Sequence, residues 1–446
     1  MKPIKLRNMK TGKIMLFSLS LCLIILPGLE NAEAQVVDKT YKWNYRVDAD
    51  SRVILANYDT DMQIHTWDKP EIEFHMIINA EFRNREDASE FDAYIGDLDF
   101  ESTARRTYIN SKFWKSRNNI MGISTMVLEG LNTMRYKKFS MECIAWIPRN
   151  ASLELDSKYS EINMDDIGGE LKMDLYNDDI YGGSVAAGTS ITAKYSDISF
   201  TGMKDLDADL YDCELSTGDA GDLKIVSKYS ELETGNAGIL DIDSYDDEFD
   251  LGDCGDIKFI AKYSEFTAGQ AGHLVADNYE CEFNADGIKD ARIEAKYSEY
   301  DFEKAGNIEI ISLYEGGMIS ATALSVVIQE TKYAEYKIGE LTDYLDIKSA
   351  YEDDISVDRL GREFRKLQVD GKYLNIDLGV AFNMDCRLKA KIKYAGLDID
   401  DDVFRTKIHI KDGSDLEYEG IKGTEKAGMP EISISGYEVD LKVSEY

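Results

Sequence analysis

Apolar and polar residues alternate through short segments that recur along most of the chain. In one segment Leu223, Ile225 and Ser227 occupy every second position, and the same pattern restarts at Leu240. This period of two is typical of β-strands that bury one face. The next apolar residue, Leu232, follows Ser227 at an odd spacing, so the chain must turn for both segments to face one core. Each unit is therefore predicted to be two short strands around a corner.

These units repeat with a step of 17 residues, and Lys-Tyr-Ser-acid phrases alternate with Tyr-acid phrases. The reference residues that mark the step are Ala193, Leu210, Ser227, Ser244, Ala261, Asn278, Ala295 and Ser312. A unit this short buries its apolar side only by stacking on its neighbours. The sequence therefore predicts an all-β fold, a single-stranded β-solenoid similar to a parallel β-helix, with rungs of about 17 residues. An antiparallel meander is the alternative, but tight Asn-Gly hairpin turns are absent.

Glycines mark the turn that follows each pair of strands. They lie at Gly221, Gly238, Gly255, Gly272 and Gly306. Because glycine adopts positive φ readily, we expect these positions to need φ > 0.

The pattern divides the chain into a signal peptide (1–34), an N-terminal cap (35–149) and solenoid repeats (150–446). The cap combines strands with a helical or loop insertion, a small α/β excursion from the solenoid. Within it, Asn84 to Ile95 is predicted to form a short helix, and Trp114 to Leu131 a loop or a second helix. Asn57 to Met62 fits the repeat template, so the first rung is expected to precede this insertion.

The N-terminus reads as a secretory signal. Lysines and an arginine precede the apolar run Ile14 to Leu26, and Ala32-Glu33-Ala34 offers a small-x-small cleavage pattern. Cleavage near Ala34 would make the mature protein extracytoplasmic: periplasmic, on the outer surface or secreted. Cys22 suggests a lipoprotein, but Leu21 stands where a small residue should precede a lipidated cysteine.

The formal charge of −34 disfavours nucleic acid and anionic membrane surfaces as partners, because both would repel the chain. No later segment is apolar enough for a transmembrane helix in the mature chain. The remaining cysteines lack a zinc-ligand spacing, so they are predicted to be buried single thiols: Cys143, Cys213, Cys254, Cys281 and Cys386.

The segment Val53–Asp59, the Trp67-Asp68 turn, the strand before Pro148 and the serial Lys-Tyr-Ser/Gly-acid units resemble a known family. It is the family of exported "putative adhesin" β-solenoid proteins, a domain of unknown function. The resemblance covers about residues 41–397. It implies a solenoid fold and an exported location, and the family carries no agreed catalytic residues.

Stacking turns each repeated residue into a row. Four positions after the reference lies an acidic row: Glu161, Asp179, Asp197, Glu214, Glu231, Glu248, Glu265, Glu282 and Glu299. Adjacent carboxylates about 4.8 Å apart repel one another, and lysines and tyrosines alternate beside them. One interpretation is a self-compensating solvated surface. The other is a binding surface, either for a polymer laid along the tyrosines or for divalent cations at Glu214, Glu231, Glu248, Glu265 and Glu282.

Catalytic motifs are missing from the sequence. The four histidines are scattered, and no nucleophile elbow, phosphate loop or dinucleotide fingerprint occurs. We therefore expect a non-enzymatic exported scaffold or adhesin-like protein, with no catalytic residue, cofactor or firm metal site. Its expected ligand is a polysaccharide or a cell-envelope protein. The alternative is a carbohydrate-active solenoid enzyme that acts on neutral glycans through a pair of carboxylates.

Overall fold

The computed structural model describes residues 35–394, 396–399 and 403–446. It is a β-solenoid of stacked parallel coils with rungs of about 18 residues, as the repeat predicts. The predicted signal peptide lies outside the described residues. Within the described ranges no helix is long and apolar enough to cross a membrane.

The N-terminal part supplies the first rung and a cap. Its elements are β1 (Gln35–Arg46), β2 (Arg52–Tyr58), β3 (Asp61–Trp67), β4 (Glu71–Phe82), α1 (Arg85–Gly96), β5 (Glu101–Ser102), β6 (Arg106–Asn110), β7 (Trp114–Ile120), β8 (Ile123–Leu128) and β9 (Thr133–Pro148). β2 and β3 form the first rung, and β6 and β9 pair with them in parallel on the outer side. β9 continues into an antiparallel sheet with β4 and β1.

The predicted helix is confirmed, with Asn84 as its N-cap: the Asn84 side chain accepts a hydrogen bond from the Asp87 N–H. The prediction for Trp114 to Leu131 was wrong, because β7 and β8 form an antiparallel hairpin there. The hairpin turns at Met121 and Gly122, whose φ angles of 51° and 79° are those of a tight hairpin turn. A Met-Gly turn carries a weaker sequence signal than Asn-Gly.

The regular part of the solenoid has two strands in each rung. The strands are β10 (Ser152–Lys158), β11 (Glu161–Met164), β12 (Leu171–Tyr176), β13 (Asp179–Lys194), β14 (Asp197–Tyr211), β15 (Glu214–Thr217), β16 (Leu223–Lys228), β17 (Glu231–Thr234), β18 (Leu240–Tyr245), β19 (Glu248–Leu251), β20 (Ile257–Lys262), β21 (Glu265–Tyr279) and β22 (Glu282–Lys296). β10 and β11 pair in parallel with β2 and β3, so the first rung does precede the insertion. Inward apolar residues from both strands form one continuous core.

The register of these rungs follows the predicted step. Tyr211 pairs with Lys228, which pairs with Tyr245, and the series continues through Lys262 to Tyr279. All these neighbours are parallel, so the meander alternative is excluded. The reference residue Ser312 was wrong by one position. A register shift between Ile293 and Glu294 brings Leu313, not Ser312, opposite Ala295.

The last strands break the sequential order of the stack. They are β23 (Glu299–Tyr351), β24 (Asp354–Leu360), β25 (Lys366–Val380), β26 (Cys386–Lys393), β27 (Gly396–Ile399), β28 (Arg405–Asp412), β29 (Asp415–Lys422) and β30 (Glu431–Glu445). β30 pairs in parallel with β25 on one side and with β26 and β27 on the other. The C-terminal strand is therefore inserted between two rungs that precede it in the chain, and β29 and β28 cover β26 as an antiparallel pair.

The turn glycines are needed for close packing rather than for positive φ, so that expectation was wrong. Within the described residues the positive-φ glycines are Gly122, Gly130, Gly413, Gly423 and Gly428. At Gly221 a Cβ would lie 1.8 Å from the Lys204 carbonyl oxygen of the rung below, and at Gly306 it would lie 1.9 Å from that of Lys289. The stacked turns thus approach one another closely enough to exclude any side chain.

Cysteine burial largely follows the prediction. The buried cysteines are Cys143, Cys213, Cys281 and Cys386, whereas Cys254 is partly exposed. Burial raises the pKa of the Cys254 thiol to about 11 and that of Cys386 to about 12. Both thiols therefore stay protonated at neutral pH and are poor nucleophiles.

Candidate functional site

At the corner between the two strands of a rung, one residue adopts a left-handed backbone conformation with positive φ. Lys228 and Tyr229 both point away from the core, whereas the next residue, Ser230, is buried. This break in the alternation explains the odd spacing between the apolar positions. The corner residues with positive φ, between 49° and 61°, are Asp59, Tyr159, Asn177, Tyr195, Asp212, Tyr229, Asp246, Tyr263, Glu280, Tyr297, Glu315, Tyr333, Glu352, Tyr373, Tyr394 and Glu438.

Each of these corners carries one tyrosine, and the rings contact one another in two long runs that we call the tyrosine ridge. The first run is Tyr58, Tyr159, Tyr176, Tyr195, Tyr211, Tyr229, Tyr245, Tyr263, Tyr279 and Tyr297. The second run is Tyr314, Tyr333, Tyr351, Tyr373, Tyr437 and Tyr394. Neighbouring ring centroids are 5.2–6.2 Å apart and meet edge to face. Such contacts contribute roughly 0.5–1.5 kcal/mol each beyond burial.

Edge-to-face contact follows from the two alternating corner sequences. In a Lys-Tyr rung the tyrosine is the left-handed residue, as at Tyr229; in a Tyr-acid rung it is the preceding strand residue, as at Tyr245. Successive rings therefore leave the backbone from different positions and in different directions. A stack of identical positions would instead place the rings face over face.

The alternation also separates the ridge lysines. The Lys228 ammonium lies 4.7 Å from the ring centroid of Tyr229 and 4.4 Å from that of Tyr245. Lys332 lies similarly over Tyr314, at 4.9 Å. Among the residues the structure describes, no ion pair joins Lys194, Lys228, Lys262 or Lys296 to the acidic row. Lys228 and Lys332 thus make cation–π contacts with ridge tyrosines, and Lys332 also forms an ion pair with Glu330.

Tyr195, Tyr263 and Tyr297 of the ridge are held as neutral phenols by their surroundings. Desolvation by their neighbours raises the pKa of Tyr195 and Tyr263, and nearby tyrosines and acids raise it further. At Tyr297 the charge of Glu315 is the main cause of the raised pKa. Each ridge ring therefore offers an apolar surface together with a hydroxyl that can donate a hydrogen bond.

The acidic row lies on the second strand, next to the ridge. The register places Glu214, Glu231, Glu248, Glu265 and Glu282 on successive rungs, as predicted. A groove of about 470 Å³ along this face is lined by further acids two positions later, among them Glu233 and Asp250. In the described ranges no three His, Cys, Asp or Glu residues are grouped so as to hold a metal ion. Cation binding at the row remains a prediction.

A second set of carboxylates lies inside the corner. Asp178 and Asp353 are each 1% exposed and Asp247 is 5% exposed, and none has a cationic partner in the described structure. Desolvation raises the pKa of Asp178 and Asp353 to about 6, and it raises that of Asp247 as well. Sequence reasoning missed these residues because they occupy the position that carries serine in other rungs, such as Ser230.

Hydrogen bonds hold each buried carboxylate. Asp247 accepts from the hydroxyls of Ser227 at 2.8 Å and Ser244 at 2.7 Å, and from the backbone N–H groups of Ser230 at 2.7 Å and Tyr245 at 2.9 Å. These donors satisfy the carboxylate without neutralising its charge. Asp178 and Asp247 lie four rungs apart, about 19 Å at the usual strand spacing. They are therefore too distant to act together as the two carboxylates of a glycosidase.

The predicted scatter of the histidines is also seen. His65 and His273 lie at the surface beside Asp165 and Asp290, at 3.3 Å and 3.0 Å, and His75 contacts Glu73 at 2.6 Å. His409 packs edge to face on Tyr418 within the C-terminal sheet. His65 and His75 nevertheless flank the same ring, that of Trp146, at 5.6 Å and 4.6 Å between ring centroids.

Comparisons with known proteins add little to this description. The chain matches no protein-family model and no curated protein sequence. Six solved chains match it. One is a putative cell adhesion protein from Clostridium sporogenes ATCC 15579, which is 8% identical with a TM-score of 0.15; the match covers 92% of this chain and 100% of that chain. Another is a putative adhesin from Bacteroides fragilis NCTC 9343, which is 10% identical with a TM-score of 0.17; that match covers 69% of this chain and 97% of the other.

Proposed function

We propose that this chain is an exported, non-enzymatic, adhesin-like scaffold that binds a linear polymer, a polysaccharide of the cell envelope, along the tyrosine ridge. The observation that supports the proposal is the length of the ridge: one tyrosine in every corner, in ring-to-ring contact along each run. The predicted signal peptide and the family resemblance of the repeat units support an extracytoplasmic location.

Repetition is what makes a polymer the best-fitting ligand. Every rung presents an apolar ring and a hydroxyl, and every second rung also presents an ammonium group. Neighbouring rungs are about 4.8 Å apart. A ligand that itself repeats can engage many such units at once. Weak contacts to single rungs then sum to useful affinity, because every contact after the first is intramolecular.

An enzyme would instead need one rung that differs from the others. Catalytic acids act in a concave site where reacting groups converge. The carboxyls with raised pKa, Asp178, Asp247 and Asp353, are enclosed by the corner and spread over distant rungs. This distribution supports a structural role for them and favours a binding surface over a catalytic one.

The proposal is tested by removing rings without disturbing the backbone. Asparagine is suited to the left-handed corner and occurs there naturally at Asn177. The triple variant Tyr195→Asn, Tyr229→Asn and Tyr263→Asn therefore interrupts the first run while keeping the corners. Tyr181→Asn is the control, because Tyr181 is an exposed tyrosine of the second strand outside the ridge.

Binding is measured on a glycan array and on whole cells. We expect wild type and Tyr181→Asn to bind a common set of polysaccharides, and the triple variant to lose at least roughly tenfold in affinity through the lost multivalent contacts. Unchanged binding by the triple variant would contradict the proposal. So would release of sugar fragments by the wild-type protein, which would indicate an enzyme.

A further inference from the structure

The β7–β8 hairpin ends in an exposed apolar tip. Ile120, Met121 and Ile123 expose 68%, 97% and 40% of their surface, and Gly122 completes the turn. The other end of the hairpin is anchored: Trp114 and Leu128 pair with each other and are buried. Soluble proteins seldom expose three adjacent large apolar side chains at one protruding point unless something covers them.

The hairpin and its surroundings are basic, in contrast to the rest of the chain. Residues 102–128 contain no aspartate or glutamate, although the whole chain has 85 of them in 446 residues. The same segment holds five cationic residues, and three more follow in β9: Arg105, Arg106, Lys112, Lys115, Arg117, Arg135, Lys137 and Lys138. Glu129 is the one acid among residues 102–138, and it lies beyond the buried end of the hairpin.

The strand register brings part of this charge to the tip. Thr125 pairs with Arg135 and Ser124 with Tyr136, so Lys137 and Lys138 follow on β9 at the level of Ile123. Arg135, Lys138 and Lys115 are exposed, and none of them forms an ion pair in the described structure.

The acids nearest to the tip already have partners. Glu81 pairs with Lys137 at 2.9 Å, and Asp59 pairs with Arg117. Asp87 accepts a hydrogen bond from the backbone N–H of Arg135 at 3.0 Å, and Glu142 accepts one from Gln63 at 2.8 Å. The donors to Asp87 and Glu142 are uncharged, so these two acids keep their negative charge. The local charge is still positive, because the eight cations of residues 102–138 outnumber these four acids and Glu129.

Distance isolates the tip from the acidic groove. Four strand steps separate β6 from the rung of Asp197, the nearest acid that lines the groove, about 19 Å along the stack. At physiological salt, interactions between exposed charges more than about 8 Å apart are largely screened. A surface that meets the hairpin thus experiences the local cations much more than the −34 of the whole chain.

We propose that the hairpin docks this protein on an anionic lipid bilayer. Ile120, Met121 and Ile123 enter the interfacial layer of the membrane, and Arg135 and Lys138 contact anionic headgroups. An apolar tip surrounded by cations matches the two layers of a bilayer surface, headgroup charge outside and acyl chains beneath. The expectation that anionic membranes are repelled rests on the net charge of the whole chain, whereas this proposal rests on the local charge of the hairpin.

The test uses the protein purified after export and vesicles of phosphatidylcholine with and without phosphatidylglycerol. The tip variant is Ile120→Thr, Met121→Asn and Ile123→Thr. Threonine keeps strand propensity, and asparagine favours the positive φ of Met121, so the hairpin is preserved. The control is Val226→Thr with Ile260→Thr, which changes similarly exposed residues on the solenoid.

We expect flotation with the anionic vesicles by wild type and by the control, and at least a roughly tenfold loss in the tip variant. Arg135→Gln with Lys138→Gln should weaken binding by roughly fivefold for each cation removed, and binding should fall with added salt. Equal binding to neutral vesicles, or full binding by the tip variant, would overturn the proposal. Absence of vesicle binding together with tip-dependent self-association would also overturn it, and would assign the tip to a second copy of the chain.

Discussion

Lys372 pairs with Tyr437, although Lys393 begins the next unit along the chain. Tyr437 in turn pairs with Lys393, so the C-terminal strand separates two Lys-Tyr rungs. With it in place, Lys-Tyr and Tyr-acid rungs alternate along the stack. Direct stacking of β26 on β25 would place Lys393 against Lys372 and one left-handed tyrosine on another. The order of the strands thus preserves the alternation, even at the strand that departs from chain order, and we infer that the alternation specifies this order.

Exchanging the corner type of the inserted strand should destabilise the fold. In Tyr437→Lys with Glu438→Tyr, the new lysine lies between Lys372 and Lys393, and the ring contacts with Tyr373 and Tyr394 are lost. We expect a loss of about 2–3 kcal/mol in the free energy of unfolding, from two ring pairs and two like-charge contacts. Denaturant unfolding measures it.

The matched exchange is Lys393→Tyr with Tyr394→Glu, at a rung that has a ridge neighbour on one side only. It should lose about half as much, because one interface is affected instead of two. Equal losses in the two variants would show that alternation does not determine the strand order.

The sequence predicts the regular rungs because their signal is local and repeated. A constant step from Leu210 to Ala295 fixes which residues face the core and which strands pair. The inserted strand β30 escapes this reasoning, since a step measured along the chain cannot reveal a neighbour from a distant segment. The sequence indicates the position of β30 only through Tyr437 and Glu438, which form a Tyr-acid corner. Such a corner belongs between two Lys-Tyr corners, but this alternation is recognised only once the contacts of the ridge are known.

The turn glycines show a second limit. From sequence, Gly221 could serve either positive φ or close packing, and the structure shows close packing. Gly221→Ala should therefore lower the free energy of unfolding by about 2–3 kcal/mol, because its Cβ meets a backbone carbonyl that cannot move aside. Gly188→Ala is the control: nothing lies within 4 Å of its Cβ. It should be neutral or slightly stabilising, by roughly 0.5 kcal/mol. Thermal or denaturant unfolding distinguishes the two, and similar effects would contradict the close-packing account.

At the left-handed corner, glycine is expected to stabilise the fold when it replaces a residue with a side chain. Glu280 has φ of 56°, a conformation that is unfavourable for residues with a side chain. Glu280→Gly should raise the free energy of unfolding by about 0.5–1 kcal/mol, the relief of strain less the added entropy of the unfolded chain. Glu282→Gly removes the same charge from a strand position on the same rung and should lower stability by about 0.5–1 kcal/mol. A loss in both variants would mean that the left-handed corner stores no strain.

The candidate sites were predicted unevenly. The acidic row and the ridge lie where the repeat predicts, because both are defined by outward positions of a regular strand. The basic hairpin tip was missed, since Trp114 to Leu131 lacks a periodic pattern and its turn at Met121 carries no strong signal. The absence of acids between Ser102 and Leu128 is visible in the sequence and could have marked the segment as distinct.

The buried carboxylates predict how stability depends on pH. The pKa of Asp178 and of Asp353 is about 6 in the folded protein, above the ordinary value of 3.8 that applies to the unfolded chain. The folded state therefore binds these protons more tightly. Their contribution to stability is fully present below about pH 4 and is lost as the pH rises through about 6. Each carboxyl should lower the free energy of unfolding by up to about 3 kcal/mol across that interval.

Asp178→Asn removes one of these titrating groups with little change in size. Denaturant unfolding at pH 4, 5, 6 and 7 should show a shallower decline for this variant than for wild type, by an amount that develops mainly between pH 4 and 6. Asp179→Asn, on the exposed row at the next position, controls for the change in net charge. Because the asparagine amide also faces the N–H of Tyr176, the absolute stability of Asp178→Asn is expected to fall at every pH. The informative quantity is therefore the slope with pH, and an unchanged slope would mean that Asp178 is ionised in the folded protein throughout this range.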